Sequence, residues 1–188
     1  MSEAAADIAE ILFDRDQIAA RVQDIGREIS RDYRERAPLL VSVLKGAVYF
    51  LTDLSRAVAI PAEIDFMAIT SYGAARAQSG VVRLIKDLDV EITGRHVLLV
   101  EDVIDTGLTA GYLVRLLQAR SPASLRICTL LDRPYRRILE SLDIAYRGFE
   151  IPDRFVVGYG LDYRERYRHL PFIGTLRDDV LESAGPPL

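Results

Sequence analysis

The residues most able to do chemistry lie in one short stretch, residues 97–109, which reads Val-Leu-Leu-Val-Glu-Asp-Val-Ile-Asp-Thr-Gly-Leu-Thr. Four consecutive apolar residues run into Glu101 and Asp102, and Asp105, Thr106, Gly107 and Thr109 follow at once. An apolar run of that kind reads as a strand buried on both faces, with its carboxyl end at a site. The following turn opens a helix, where backbone N–H groups and two hydroxyls can converge on a phosphate, and Gly107 allows close backbone approach. Glu101 and Asp102 are acceptors suited to paired sugar hydroxyls and unsuited to direct phosphate contact unless a cation intervenes. The stretch lacks the glycine-lysine-serine/threonine ending of a Walker loop. The plainer reading, strand-end polarity followed by an ordinary helix cap, serves for any one of these features but poorly for the whole constellation.

The elements that must position this stretch are legible from periodicity. Asp14 and Gln17 resemble a helix N-cap with its box partner, and Ile18, Val22, Ile25 and Ile29 recur at helical spacing. Residues 39–44 read as a strand, and Lys45-Gly46 leads into a helix through about Arg56. Residues 63–70 and 81–85 read as further strands. Between them, residues 71–80 contain glycines, alanines and small polar residues, which predicts a loop near a site or a plain hairpin connection. Residues 108–119 read as a helix and 125–131 as the next strand. Residues 155–160 read as a short strand before a polar segment rich in arginine and tyrosine, which is expected to cap the crevice. The alternation predicts an α/β fold with an open, mostly parallel twisted sheet flanked by helices, and ligands beyond the carboxyl ends of its strands.

The 188 residues are expected to form a single domain, and 49% hydrophobic residues can fill its core. The 24 basic and 28 acidic side chains give a net charge of -4. That balance argues against binding bulk nucleic acid but leaves phosphate recognition by backbone donors open. The single cysteine, Cys128, cannot form an intramolecular disulfide and reads as a small buried hydrophobe. No apolar run is long enough to cross a bilayer, so a cytoplasmic protein without membrane partners is expected. His96 and His169 have no metal-ligand spacing to each other and read as structural or surface residues.

The stretch around Glu101–Thr109 resembles the phosphoribosyl pyrophosphate signature of type I phosphoribosyltransferases. From about residue 10 to residue 176 the chain is similar to the hypoxanthine-guanine members of that family. The matching pieces are Leu44-Lys45-Gly46, Ser71-Tyr72-Gly73, the signature, residues 130–134 and residues 151–163. The resemblance implies the type I phosphoribosyltransferase fold, with a small hood from the N- and C-terminal segments, and a purine base and phosphoribosyl pyrophosphate as substrates. It implies that Glu101 and Asp102 hold the ribose hydroxyls, that Asp105 handles the proton on purine N7, and that Thr106, Gly107, Leu108 and Thr109 bind the 5′-phosphate. Lys45, Gly46 and Arg168 match pyrophosphate contacts, often with a cis peptide at the first of these. Ser71 and Tyr72 match a loop that closes over the reacting centre. In the same reading Phe155 stacks on the base, the Val156 backbone reads its edge, Arg133 stands where lysine usually lies beneath the 6-position, and magnesium is held by Asp162 with Glu101 and Asp102. A homodimer or homotetramer is the expected assembly.

Each assignment has a plainer competitor: a solvated Lys45, a surface Arg168, a core Phe155, a turn at Asp162, or Arg133 paired with Asp132 or another acid. Arg133 and Leu108 are also departures from the family pattern, Leu108 removing a positive charge near the phosphate. A regulatory sensor of phosphoribosyl pyrophosphate is the competing class, disfavoured by the absence of a basic patch and by the acid at Asp105.

Overall fold

The computed structural model describes residues 3–71, 82–139 and 142–183. In chain order they form α1 (Glu3–Ala6), β1 (Ile8–Phe13), α2 (Arg15–Asp32), β2 (Leu39–Leu44), α3 (Val48–Ala57), β3 (Glu63–Ser71), β4 (Val82–Lys86) and β5 (His96–Ile104). There follow α4 (Leu108–Gln118), β6 (Ser124–Asp132), a 3-10 turn at Pro134–Arg136, β7 (Ile144–Glu150), β8 (Val156–Val157), β9 (Ile173–Leu176) and α5 (Asp178–Ser183).

Helix α2 begins where the sequence places its cap. The Gln17 N–H donates to Asp14 Oδ1 at 2.8 Å, and the Asp14 N–H donates to Gln17 Oε1 at 2.9 Å. This reciprocal pair satisfies two of the donors a helix start leaves open. Ile18, Val22, Ile25 and Ile29 then form its buried face.

The main sheet has the order β4-β3-β2-β5-β6-β7. All its pairings are parallel except that of β3 with the edge strand β4. Its central strands are apolar throughout because both faces are covered. Leu40, Leu98, Val100 and Leu130 pack in one cluster with Ile25, Phe50 and Leu54 of α2 and α3. Leu39, Val41, Leu99 and Ile127 pack in the other with Leu113 and Leu117 of α4. Each such fully buried side chain contributes roughly 1.5–3 kcal/mol. Cys128 is buried among them, as its place in an apolar run predicts, and burial pushes its thiol pKa up.

A second, antiparallel sheet of order β1-β9-β8 joins the two ends of the chain. This is the hood expected from the terminal segments. Its strands β1 and β9, and the sheet edge β7, were not legible as strands in the sequence. The expected strand at 155–160 is reduced to Val156–Val157, because Gly158, Tyr159 and Gly160 turn the chain with φ of 97°, 49° and 99°. The expected loop at 71–80 lies outside the described residues from Tyr72 onward. No helix among the described residues is long and apolar enough to cross a membrane.

Candidate active site

Glu101 and Asp102 stand inside β5, not at its end as the sequence suggested. The strand runs on because Val103 and Ile104 still pair with Leu131 and Asp132 of β6, whereas β2 has already left the ladder at Ser42, opposite Val100. One edge of β5 is thereby open at the carboxyl end of the sheet, where ligands of such folds bind.

The turn after β5 forms a cavity of about 200 Å³ lined by Glu101, Asp102, Asp105, Thr106, Gly107 and Thr109, among others. Gly107 starts α4 at φ 81°, a left-handed conformation, and supplies no side-chain cap; the Leu108 N–H donates to Thr106 Oγ1 at 3.4 Å. A helix start with uncapped N–H groups is an anion site in waiting. The turn is fastened from outside by the segment after β6: Thr106 O accepts the Ile138 N–H at 2.9 Å, and Asp105 O accepts Arg137 Nε at 3.3 Å. Leu108 does not line this cavity; its side chain is exposed.

A second cavity of about 290 Å³ shares Asp102, Val103 and Asp105 with the first and is completed by Arg133, Phe155, Val156, Leu161 and Asp162. Phe155 is no core residue. It is 42% exposed, with its ring edge-on to Tyr163 at 5.5 Å between centroids. Arg133 is buried and donates to Arg154 O at 2.7 Å and to Asp105 Oδ2 at 3.3 Å, so its acid partner is not Asp132. Asp132 pairs instead with Arg137 and Arg147. Arg154 itself reaches Glu10 of β1 and Thr175 of β9, which ties this wall to the hood.

Asp105 sits where the two cavities meet. Its Oδ2 accepts from both Arg133 and Arg136, each at 3.3 Å, while the buried Oδ1 has no partner among the described residues. A buried acceptor left open is costly unless a ligand fills it.

The peptide between Leu44 and Lys45 is cis. Gly46 beyond it packs so closely that a Cβ there would collide with Asp102 Oδ2 and come within 3.3 Å of Gly160 O. Lys45 Nζ meets Glu165 Oε2 at 3.0 Å, and Arg168 Nη2 meets Asp162 Oδ1 at 2.8 Å and Glu165 Oε1 at 3.4 Å. Arg168 also donates to Gly160 O at 2.7 Å and is largely buried, so it is not a surface charge. Ser71 ends β3, and Tyr72 lies outside the described residues.

Burial drives the Glu101 carboxyl well above the ordinary carboxylate range, and the neighbouring Asp102 adds to the effect. Burial also lifts Asp102 to about 6, opposed by the Val103 N–H and by Arg168 and reinforced by Asp162. Two buried acids facing a third are an arrangement that a cation or a hydroxylated ligand would relieve. Among the described residues no three or more metal-ligating side chains are gathered to hold an ion by themselves. Glu101, Asp102 and Asp162, the carboxylates to which the resemblance gives magnesium, are thus not gathered closely enough to hold an ion on their own. The orphaned Glu101 Oε1 and the lifted Asp102 fit an ion that takes one or two carboxylates and completes its shell from substrate and water.

The sequence singled out neither Arg136 and Arg137 nor Glu165. The arginines had a signal, three of the five residues 133–137 directly after an apolar strand. Glu165 had none, since its role depends on two cations distant in the chain.

The profile of the phosphoribosyl transferase domain matches residues 9–164. A hypoxanthine-guanine phosphoribosyltransferase of Mycobacterium avium is 55% identical over 183 residues, covering 94% of this chain and 90% of that protein. One of Bacillus subtilis is 46% identical over 177 residues, covering 94% and 98%. The crystal structure of a hypoxanthine phosphoribosyltransferase from Staphylococcus aureus superposes with a TM-score of 0.91 at 41% identity, covering 95% of this chain and 97% of that one. Two cavities meeting at one carboxylate, on the fold these relatives share, leave a single assignment: the chain belongs to the phosphoribosyl transferase family, among its hypoxanthine-guanine phosphoribosyltransferases.

Proposed function

We propose that the protein salvages purines by transferring the phosphoribosyl group of phosphoribosyl pyrophosphate to hypoxanthine or guanine, giving IMP or GMP and pyrophosphate. The observation that carries this reading is Asp105. Its carboxylate is held by two guanidinium groups through Oδ2, Oδ1 has no partner among the described residues, and the residue lines both a phosphate-type cavity and an aromatic-walled one.

In the reaction the purine N9 bonds to the anomeric carbon, the bond from that carbon to pyrophosphate breaks, and the proton on N7 passes to the Asp105 carboxylate. The two guanidinium groups on Oδ2 fix the orientation of the carboxylate, so that it meets the base in one geometry. Residues 106–109 bind the 5′-phosphate, chiefly through backbone donors and the two threonine hydroxyls. Glu101 and Asp102 take the ribose hydroxyls, and Lys45, Gly46 and Arg168 take pyrophosphate. Arg133, Phe155, Val156 and Asp162 form the base pocket: the ring of Phe155 stacks, and the guanidinium of Arg133 donates to the 6-oxo group. Ser71 and Tyr72 belong to a segment that excludes water from the activated sugar.

Magnesium, held by Asp162 and Asp102 with Glu101 nearby, would neutralise charge on the pyrophosphate. The single buried thiol suits a reducing compartment such as the cytoplasm. The test is a magnesium-dependent assay with phosphoribosyl pyrophosphate and each of hypoxanthine, guanine, xanthine and adenine. IMP and GMP formation is expected; turnover of xanthine or adenine alone would overturn the assignment.

A further inference from the structure

Glu165 occupies an unexpected place. Its carboxylate lies between Lys45, at 3.0 Å, and Arg168, at 3.4 Å, the two cations that the proposed function gives to pyrophosphate. An internal anion thus spans the groups that an external anion is expected to use. The backbone is bent to bring it there: Arg164, Glu165 and Tyr167 have φ of 54°, 63° and 75°, a region that ordinary side chains disfavour. The Glu165 N–H, donating to Asp162 Oδ2 at 2.8 Å, pins the same turn to the base pocket.

The grip of Glu165 on Lys45 is weak enough to be exchanged. Both side chains are about two-thirds exposed, and an exposed pair of this kind contributes little. Arg168 is different. It stays fixed by Gly160 O and Asp162 whether or not Glu165 is present. A polyanion arriving at this place can therefore displace Glu165 and find Arg168 already oriented. On departure of the polyanion, the carboxylate is ready to return.

We infer that Glu165 is a positioning residue that competes with pyrophosphate for Lys45 and Arg168, weakening its retention and favouring its release. This rests on the proposed function, because it takes those two cations as the pyrophosphate subsite. It extends that reading by assigning a role to an acid in a subsite otherwise defined by cations.

The experiment measures inhibition by inorganic pyrophosphate, KM for phosphoribosyl pyrophosphate and KM for hypoxanthine in the full chain with magnesium. Wild type, Glu165→Gln, Glu165→Asp and Lys45→Ala are compared. Glu165→Gln is expected to tighten pyrophosphate inhibition and lower KM for phosphoribosyl pyrophosphate by about two- to fivefold, the range of an exposed ion pair. KM for hypoxanthine should stay unchanged, and added salt should shrink the difference. Glu165→Asp, one methylene shorter, should shift inhibition the same way by less. Lys45→Ala should weaken pyrophosphate. If Lys45→Ala weakens it while neither Glu165 variant tightens it, the competition is refuted and the subsite stands. If Lys45→Ala leaves it unchanged, the subsite reading fails and takes the inference with it. A Glu165→Gln protein that weakened both substrates alike would show a merely structural role and would also refute the inference.

Discussion

Replacing Asp102 by asparagine should make the substrate-free protein more stable, and only at neutral or alkaline pH. Burial lifts this carboxyl from an ordinary 3.8 to about 6. At about 1.4 kcal/mol for each tenfold, ionising it in the native state costs about 3 kcal/mol. The sign follows from proton counting. Between the two values the native protein holds a proton that the unfolded chain has lost, so stability falls as pH rises through that window, and the full cost is present above about pH 6. Asparagine keeps an oxygen to accept the Val103 N–H, which meets Asp102 Oδ1 at 2.7 Å, and carries no charge to desolvate. It also removes the neighbour that helps raise Glu101. Because the Asp102 side chain, though enclosed by protein, keeps some contact with solvent, a gain of roughly 1–3 kcal/mol is expected at about pH 8, falling to nearly nothing at about pH 4. Urea denaturation in the presence of a chelator and without substrates would measure it. A variant no more stable than wild type at about pH 8, or one whose gain does not vary with pH, would refute the reasoning. The same variant should lose activity if, as proposed, the carboxylate takes ribose and a cation, a function kept at the expense of stability.

Asp105→Asn should keep affinity for phosphoribosyl pyrophosphate while turnover falls about a hundredfold or more, measured as kcat against KM; equal losses in both would count against proton acceptance by this carboxylate. Arg133→Met should lower kcat/KM for hypoxanthine and guanine roughly tenfold to a hundredfold and narrow their advantage over adenine, while Arg133→Lys preserves that advantage. Competition assays with the three bases decide it, and unchanged preference in Arg133→Met would remove Arg133 from base recognition. Gly107→Ala should destabilise the turn by about 1–2 kcal/mol, because its φ of 81° disfavours a Cβ, and that Cβ would lie 2.7 Å from Leu142 Cδ1. The measurement is Tm together with KM for phosphoribosyl pyrophosphate; an unaltered KM would show that the turn does not bind phosphate.

The central architecture was legible because its signals are local. Four apolar residues at 97–100 require two covered faces, and the Asp14/Gln17 box and the spacing of Ile18, Val22, Ile25 and Ile29 announce α2 without reference to anything distant. The hood was harder. β1 is exposed along much of its length and β9 is four residues long, so neither carries a periodic pattern, and both exist because they pair with each other across almost the whole chain. For the same reason Glu101 and Asp102 were placed too late in their strand: where β5 ends is decided by its ladder with β6, not by its own side chains. The site behaved likewise. Residues 101–109 could be read in one piece, whereas the contacts of Arg136 with Asp105 and of Glu165 with Lys45 are decided by three-dimensional proximity alone.

Those non-local contacts also bear on the two departures from the family pattern. Leu108 brings no charge to the cavity at the start of α4, whereas the segment after β6 and strand β7 carry guanidinium groups that pair with carboxylates close to the turn. Arg133 and Arg136 hold Asp105, Arg136 also reaches Asp153, and Arg137 and Arg147 flank the buried Asp132. Four guanidinium groups thus face three carboxylates beside the signature turn, and Arg137 touches that turn directly through Asp105 O. Guanidinium suits this packing better than an ammonium because its planar fork can bond several oxygens at once. Arg133 uses that capacity, holding Arg154 O and Asp105 together, so the wall that carries Phe155 and the carboxylate shared by the two cavities are joined by one side chain. A lysine there could offer its charge but not that planar bridge. The arginine at 133 is therefore part of a local network with Arg136 and Asp105, which fixes the carboxylate shared by the two cavities.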